Sequence, residues 1–169
     1  MERARKGTLL HKIRLVSGAS LLLSLTAIGV SGYALFGIAE RLQNVVATTT
    51  AIRNHMHGDM MHDALRGDVQ AAMLARTAEE REAASKNLDE HARMFREDLG
   101  ANRKLPLAPA VQASIAAADG ELRNYIDAAR AQAVAASAGT AEYWSRMPEF
   151  QKSFEALEDK NETLSEQIE

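Results

Sequence analysis

The sequence has no cysteine, three prolines, ten glycines and only 5% aromatic residues among its 169 positions. Without cysteine there is no disulfide framework, no zinc–thiolate site and no cysteine nucleophile. So few prolines and glycines argue against a disordered or loop-rich chain, and abundant alanine with few β-branched runs favours helix. The formal net charge of −3 excludes an overall basic field that would attract nucleic acid. We therefore predict an all-α protein without a nucleic-acid partner.

A long uncharged run is the most conspicuous feature that the sequence does contain. Residues 15–39 hold 25 positions without a charged side chain, and roughly 20 apolar residues cross a bilayer as a helix. Residues 1–14 carry five basic residues against one acidic residue, whereas residues 40–169 carry 15 basic and 22 acidic residues. Because basic flanks stay in the cytoplasm, we predict a cytoplasmic flank (1–14), a transmembrane helix (15–39) and a domain outside the cytoplasm (40–169). A cleaved signal peptide is the alternative, but its apolar region would be shorter.

Residues 40–169 show the apolar periodicity of four amphipathic helices. The first continues the membrane helix, and its apolar stripe steps by three or four residues through Ile38, Leu42, Val45, Thr49, Ile52, Met56, Met60, Ala64, Gly67, Ala71 and Leu74. A capping box at residues 77–80 starts the second helix, which has the stripe Leu88, Ala92, Phe95 and Leu99. The third stripe is Leu107, Val111, Ile115, Ala118, Leu122, Tyr125 and Ala129, and the fourth is Tyr143, Met147, Phe150, Phe154, Leu157, Asn161, Leu164 and Ile168.

The connections between these helices are short, which makes sequential helices antiparallel. We therefore predict an up-down-up-down antiparallel four-helix bundle that continues from the transmembrane helix. Residues 137–140 mark the break before the fourth helix, and Pro148 suits its first turn. The fourth helix then returns towards the membrane, and its heptad runs to Glu169 without a cap. We expect the front portion of a longer receptor, with a second transmembrane helix and a signalling region absent from this sequence.

Two stretches of this sequence carry a resemblance to a known family. Residues 59–69 read like first-helix sequence, and residues 154–169 like last-helix sequence, of the sensory end of bacterial methyl-accepting chemotaxis proteins. The order of basic flank, anchor and acidic helical domain is also similar to that family. The resemblance implies an inner-membrane chemoreceptor input module, with a cytoplasmic N-terminus and a periplasmic or extracellular bundle. It implies a homodimer that senses a small solute, such as an organic anion, and relays the signal through helix displacement.

Other functions remain open at this stage. Such input domains also occur on sensor kinases and cyclases. A metal- or pH-responsive binding protein rich in His and Met is a second alternative, and a single-pass structural oligomer is a third. The sequence holds no nucleophile elbow, phosphate-binding glycine loop or paired carboxylates with a reason for a raised pKa. We predict a protein that is not an enzyme and has no cofactor.

The most unusual segment for chemistry is residues 53–63, which contain three of the five histidines together with three methionines and two aspartates. On a helix, His55, Asp59 and His62 share one face at i, i+4 and i+7. Histidine and aspartate suit Zn²⁺ or Ni²⁺. A span of seven residues covers roughly 10.5 Å, too long for one ion to reach all three. We favour a methionine core stripe flanked by solvated polar residues over a metal site.

Arginines on the first helix are the candidates for ligand binding. Arg53, Arg66 and Arg76 offer planar guanidinium groups that hold a carboxylate through two hydrogen bonds. The resemblance implies that solutes bind between helices, with first-helix arginines contributing. The competing interpretation is a surface ion pair of an arginine with Asp59 or Asp63 at helical spacing.

Overall fold

Four α-helices make up the computed structural model, which describes the backbone of residues 2–138 and 142–168 and the side chains of residues 11–138 and 143–168. The helices are α1 (Glu2–Leu74), α2 (Ala78–Asn102), α3 (Pro109–Ser137) and α4 (Glu142–Ile168). These ranges contain no strand. The prediction of an all-α protein is confirmed. The chain forms two compact units, Met1–Gln43 and Asn44–Glu169.

The first unit exposes its apolar side chains. Every residue described from His11 to Gln43 is exposed except Gly37, which is partly buried. Leu23 and Phe36, for example, are 73% and 79% exposed. By length and composition, α1 is the one helix in the described part of the chain that could cross a membrane. This portion of α1 is therefore a candidate membrane span.

The start of α2 is the capping box that the sequence predicts. Thr77 has extended backbone angles, and its hydroxyl accepts a hydrogen bond from the Glu80 amide at 3.1 Å. The Glu80 carboxylate in turn accepts from the Thr77 amide at 3.2 Å. Two amides that a helix start would leave unpaired are thus satisfied. This prediction is confirmed.

The prolines of α3 and α4 occupy different positions in their helices. Pro109 begins α3, where its missing amide hydrogen is not needed. Pro148 lies inside α4, six residues after the first described helical residue, Glu142. The prediction that Pro148 occupies the first turn is wrong. The helix begins a turn earlier, and the proline removes the amide that would have bonded to the Trp144 carbonyl.

The core of the second unit includes the apolar faces of α2, α3 and α4 that the periodicity predicts. All four predicted stripe residues of α2 are buried, and so are those of α3 after the partly buried Leu107. The stripe of α4 is buried from Phe150 onwards. An aromatic group lies in this core, with the Tyr125 ring 5.6 Å from Phe150 and 5.8 Å from Phe154. The described helices are thus compatible with a helical bundle.

The predicted core stripe of α1 is wrong. Its members in the second unit are exposed, with Met60 at 65% and Leu74 at 78%, except for the partly buried Ile52 and Ala64. The face that is buried instead comprises Ala47, Ala51, Gly58, Met61, His62, Leu65, Asp68, Val69 and Ala72. This face combines small and polar residues with a few large apolar ones, so hydropathy alone favours the wrong side. The other large apolar side chains in this part of α1, such as Met56, Met60 and Leu74, form a second, outward face.

Polar side chains that join α1 to α2 explain how the buried face tolerates polar residues. The Asp68 carboxylate lies 2.6 Å from Nδ1 of His91. The side-chain amide of Asn54 donates to the side-chain oxygen of Asn102 at 2.9 Å. The side-chain amide of Asn102 donates to the Ala51 carbonyl at 3.0 Å. A buried polar group costs little once it is hydrogen-bonded. Partner numbers on α2 fall as those on α1 rise.

Polar contacts also connect the other helices of the second unit. Between α2 and α3 the ion pairs are Asp89 with Arg130 and Arg103 with Asp119. Between α3 and α4, Ser114 donates to Gln167, and Gln132 donates to the Tyr143 carbonyl. Each polar contact fixes the axial position of one helix against the next.

Candidate functional site

The segment at residues 53–63 divides its histidines among different surroundings. His62 is buried, with its ring 4.1 Å from the Phe154 ring and 5.1 Å from the Tyr125 ring. His57 is exposed, and its Nδ1 lies 2.6 Å from an Asp98 oxygen on α2. His55 is partly buried. The three histidines of this segment therefore lie in three different environments.

Burial governs the charge state of two of these imidazoles. It lowers the pKa of His62, against the smaller opposing effects of the Phe154 carbonyl, Asp59 and Asp63. Burial also lowers the pKa of His55, with Asp59 opposing it. Removing an imidazolium from water is unfavourable, so the neutral ring is preferred in both places.

The predicted metal candidates His55, Asp59 and His62 lie on α1 at the spacing that the sequence indicates. His62 already bonds to the Phe154 carbonyl through Nε2, at 3.2 Å. Within residues 2–138 and 142–168, no group of three or more His, Asp or Glu side chains is placed to hold a metal ion. The metal site remains a hypothesis that the geometry of these residues does not favour.

The predicted ligand-binding arginines are dispersed along the second unit. Arg66 donates to Asp63 at 3.0 Å, which is the surface ion pair weighed against ligand binding, and its guanidinium lies 4.4 Å from the centre of the Phe154 ring. Arg53 is exposed, and so is Arg76, whose backbone amide donates to Glu80 at 2.6 Å. By the helical rise, Arg53 and Arg66 are separated by about 20 Å along α1. One small solute cannot contact both arginines of a single chain.

Two other arginines come together where the sequence gives no indication of it. Arg81 and Arg130 line a cavity of about 270 Å³ between α1, α2 and α3. Ala72, Leu88 and Ala133 form apolar parts of its wall. The two arginines are 49 positions apart on different helices, so no motif or helical spacing connects them. Their proximity depends on how α2 and α3 pack against each other, which spacing along one helix does not give.

Two buried amide side chains complete the set of unusual polar groups. Gln132 and Asn161 are both buried, and Oε1 of Gln132 and Nδ2 of Asn161 have no hydrogen-bond partner among the described residues. Asn161 interrupts the apolar stripe of α4. A single polar residue in such a seam commonly fixes the register of packed helices.

Comparisons of the chain with protein-family models, with curated proteins and with solved structures found no match. The geometry of the chain itself therefore carries the functional argument.

Proposed function

We propose that this chain is the membrane-anchored input module of a bacterial transmembrane receptor, which binds a small extracytoplasmic solute and relays its presence by helix displacement. Residues 15–39 cross the inner membrane with the N-terminus in the cytoplasm, and residues 40–169 form an up-down-up-down bundle outside it. The observation that carries the proposal is the exposed apolar helix of the first unit. An exposed surface of that extent is unfavourable in water, whereas in a bilayer it is solvated by lipid.

The contacts within the second unit support the proposed relay. Partners on α1 and α2, α2 and α3, and α3 and α4 run in opposite order, as an up-down-up-down bundle requires. His62 and Arg66 of α1 both contact the Phe154 ring of α4. An axial shift of α4 against α1 would break these contacts. A ligand that binds one arrangement better than the other would therefore shift the population between them.

We further propose that the module is a homodimer whose second copy covers the outward apolar face of α1. Within the second unit this face includes Val45, Met56, Met60 and Leu74, each at least 60% exposed. Monomers rarely expose long contiguous apolar surfaces. Two copies anchored in one membrane have the same orientation, so the same face of each can meet about a two-fold axis.

The proposed topology is tested by thiol labelling in intact cells. Cysteines placed singly at Ala117 and Ser137, both exposed, should react with a membrane-impermeant maleimide, whereas a cysteine at Thr8 should react only after lysis. The chain has no native cysteine, so each signal reports one position. Labelling of Thr8→Cys but not of the other two variants in intact cells would reverse the orientation and overturn the proposal.

The sensing role is tested by a thermal-shift screen of the full chain in detergent micelles. A ligand that binds only the folded state adds RT ln(1 + [L]/Kd) to stability, about 2.7 kcal/mol at a hundredfold excess over Kd. Amino acids, mono- and dicarboxylates and inorganic anions should include at least one solute that raises the melting temperature. If no solute does so, the single-pass structural oligomer is the better function. A solute that raises the melting temperature would also be compatible with the input domain of a sensor kinase or cyclase, because such a protein differs only in the output module.

A further inference from the structure

A cavity among α1, α2 and α3 has the chemistry of a ligand site. It lies near the end of α1 and the first turns of α2, and its volume is about 270 Å³. Ala72 of α1, Leu88 of α2 and Ala133 of α3 contribute apolar wall. Arg81 and Asp89 of α2 and Arg130 of α3 contribute charged groups. Ligand pockets commonly combine mostly apolar walls with a few polar groups that fix orientation.

The charges around this cavity do not balance. Arg130 donates from both Nε and Nη2 to one Asp89 oxygen, at 3.1 and 2.7 Å, so these two residues neutralise each other. Arg81 is partly buried, and among the described residues its guanidinium makes no hydrogen bond to a carboxylate; the charges of Glu79 and Glu80 act on it only through space. The adjacent Glu80 carboxylate accepts from the backbone amides of Arg76 and Thr77 instead. The Arg81 guanidinium is therefore left without a hydrogen-bonded carboxylate at this cavity.

A carboxylate is the group that matches Arg81. Guanidinium and carboxylate form paired, charge-assisted hydrogen bonds, and a partly dehydrated guanidinium gains more from such a pair than a fully hydrated one does. The apolar wall favours a ligand whose remaining atoms are also apolar. Asp89 neutralises Arg130, the other arginine that lines the cavity, so the charge of Arg81 matches a single carboxylate on the ligand. These requirements together describe a small monocarboxylate with a compact apolar body.

We propose that this cavity binds a small apolar monocarboxylate, with Arg81 holding the carboxylate and the walls from Ala72, Leu88 and Ala133 covering the apolar body. The inference rests on the proposed sensing function and assigns that function a site and a ligand class. It replaces Arg53, Arg66 and Arg76 as the primary anion contacts. The ligand would touch α1, α2 and α3 at once, and its binding would favour one arrangement of these helices.

Isothermal titration of the full chain in detergent micelles with benzoate tests the site. We expect saturable binding with a Kd in the millimolar range or tighter, corresponding to at least about 4.1 kcal/mol. Arg81→Gln should weaken benzoate binding about tenfold or more, since a charge-assisted pair is lost. Arg93→Gln is the matched control, because Arg93 is an exposed α2 arginine paired with Glu97. This control variant should bind benzoate as the original chain does.

Two further ligands separate the charge from the apolar body. Benzamide keeps the ring without the charge, and inorganic phosphate keeps a negative charge without the ring. Both should bind at least about tenfold more weakly than benzoate if guanidinium and wall act together. Phosphate binding as tight as benzoate binding would overturn the proposed ligand class, because the apolar wall would then contribute nothing.

These experiments distinguish a failure of the proposed Arg81 site from a failure of the proposed sensing function. No saturable benzoate binding, or equal binding by the original chain and Arg81→Gln, overturns this site. If another solute in the thermal-shift screen still stabilises the chain, and Arg81→Gln leaves that effect unchanged, the sensing function stands and its site lies elsewhere. A circular dichroism melt of each variant confirms that folding is retained, which is expected for Arg81→Gln because no hydrogen-bonded carboxylate is lost.

Discussion

The imidazole of His62 lies against the ring of Phe154, with centroids 4.1 Å apart and planes 11° from parallel. Nε2 of His62 is 3.2 Å from the Phe154 carbonyl oxygen, and because a carbonyl only accepts, Nε2 is the protonated nitrogen of the neutral ring. From α3, the Tyr125 hydroxyl donates to the His62 carbonyl at 3.1 Å. Side chains and backbone of three helices thus meet at one imidazole.

The first prediction is that acidification destabilises the second unit through His62. Burial lowers the pKa of His62 below its ordinary value of 6.5, although Asp59 and Asp63 oppose this effect and Arg66 assists it. The unfolded chain therefore takes up a proton at a pH where the folded chain does not. The stability that this residue contributes is present above pH 6.5 and is lost as pH falls through the folded pKa. One proton changes the free energy of unfolding by at most about 1.4 kcal/mol per pH unit.

Urea titrations of the full chain in detergent micelles, followed by helicity between pH 8 and 5, measure this dependence. His62→Phe should reduce the slope of the free energy of unfolding against pH. Part of the slope should remain, because burial also lowers the pKa of His55. Tyr125→Phe is the matched control, because it removes a hydrogen bond to His62 but leaves the imidazole, so its slope should be unchanged. Burial raises the pKa of Asp68, which has the opposite effect on the slope and cancels in the comparison because every variant retains it. An unchanged slope in His62→Phe would refute the assignment.

The second prediction concerns Phe154 as a core residue of α4. Its side chain is buried and contacts His62, Tyr125 and Arg66. Phe154→Ala should lower the free energy of unfolding by ~3–5 kcal/mol, because apolar contact is lost and a cavity remains. Trp144→Ala on the same helix removes a larger ring that is 63% exposed, so it should cost much less. Equal losses for the two variants would contradict the position of Phe154 in the core.

The sequence predicts α2, α3 and α4 well because each has one dominant apolar face. Leu88 and Leu99, Ile115 and Leu122, and Phe154 recur at helical spacing and are all buried. The capping box at Thr77 is equally local, since every atom it needs lies within four residues. Such features depend on periodicity and short-range hydrogen bonds, which one sequence contains in full.

The first helix is mispredicted because it has two faces that could be buried. Met56 and Met60 are the more hydrophobic choice, yet the core uses the side with Ala51, Leu65 and Asp68. Asp68 is acceptable there only because His91 on another helix meets it. The cavity at Arg81 likewise depends on the register between helices. Neither relationship can be obtained from spacing along one helix.

The third prediction is that the outward face of α1 holds two copies of the chain together. Met60→Glu places a charge at the centre of this face, and an unpaired charge buried in an interface costs several kcal/mol. A loss of about 3 kcal/mol would weaken self-association roughly a hundredfold. Sedimentation equilibrium of the full chain in density-matched detergent measures that constant. Ala117→Glu, an exposed position on α3, is the control and should leave association unchanged. A monomeric original chain, or equal association of both variants, would contradict the proposed dimer.

The last prediction contrasts two glycines of α1. A Cβ on Gly58 would lie 3.0 Å from one carbon of the Phe95 ring and 3.1 Å from another, whereas a Cβ on Gly67 would meet nothing within 4 Å. Replacing a mid-helix glycine with alanine gains about 0.5–1 kcal/mol from the lower backbone entropy of the unfolded chain. Phe95 is buried and cannot move aside freely, so overpacking by ~1–3 kcal/mol opposes this gain at Gly58. Gly67→Ala should therefore stabilise the chain, and Gly58→Ala should destabilise it, in urea titrations of the full chain. In a Phe95→Leu background, Gly58→Ala should cost less than it does in the original chain, because the smaller side chain makes room for the methyl group. Stabilisation by both alanine variants would show that α1 and α2 do not approach as closely at Gly58 as the Phe95 contact requires.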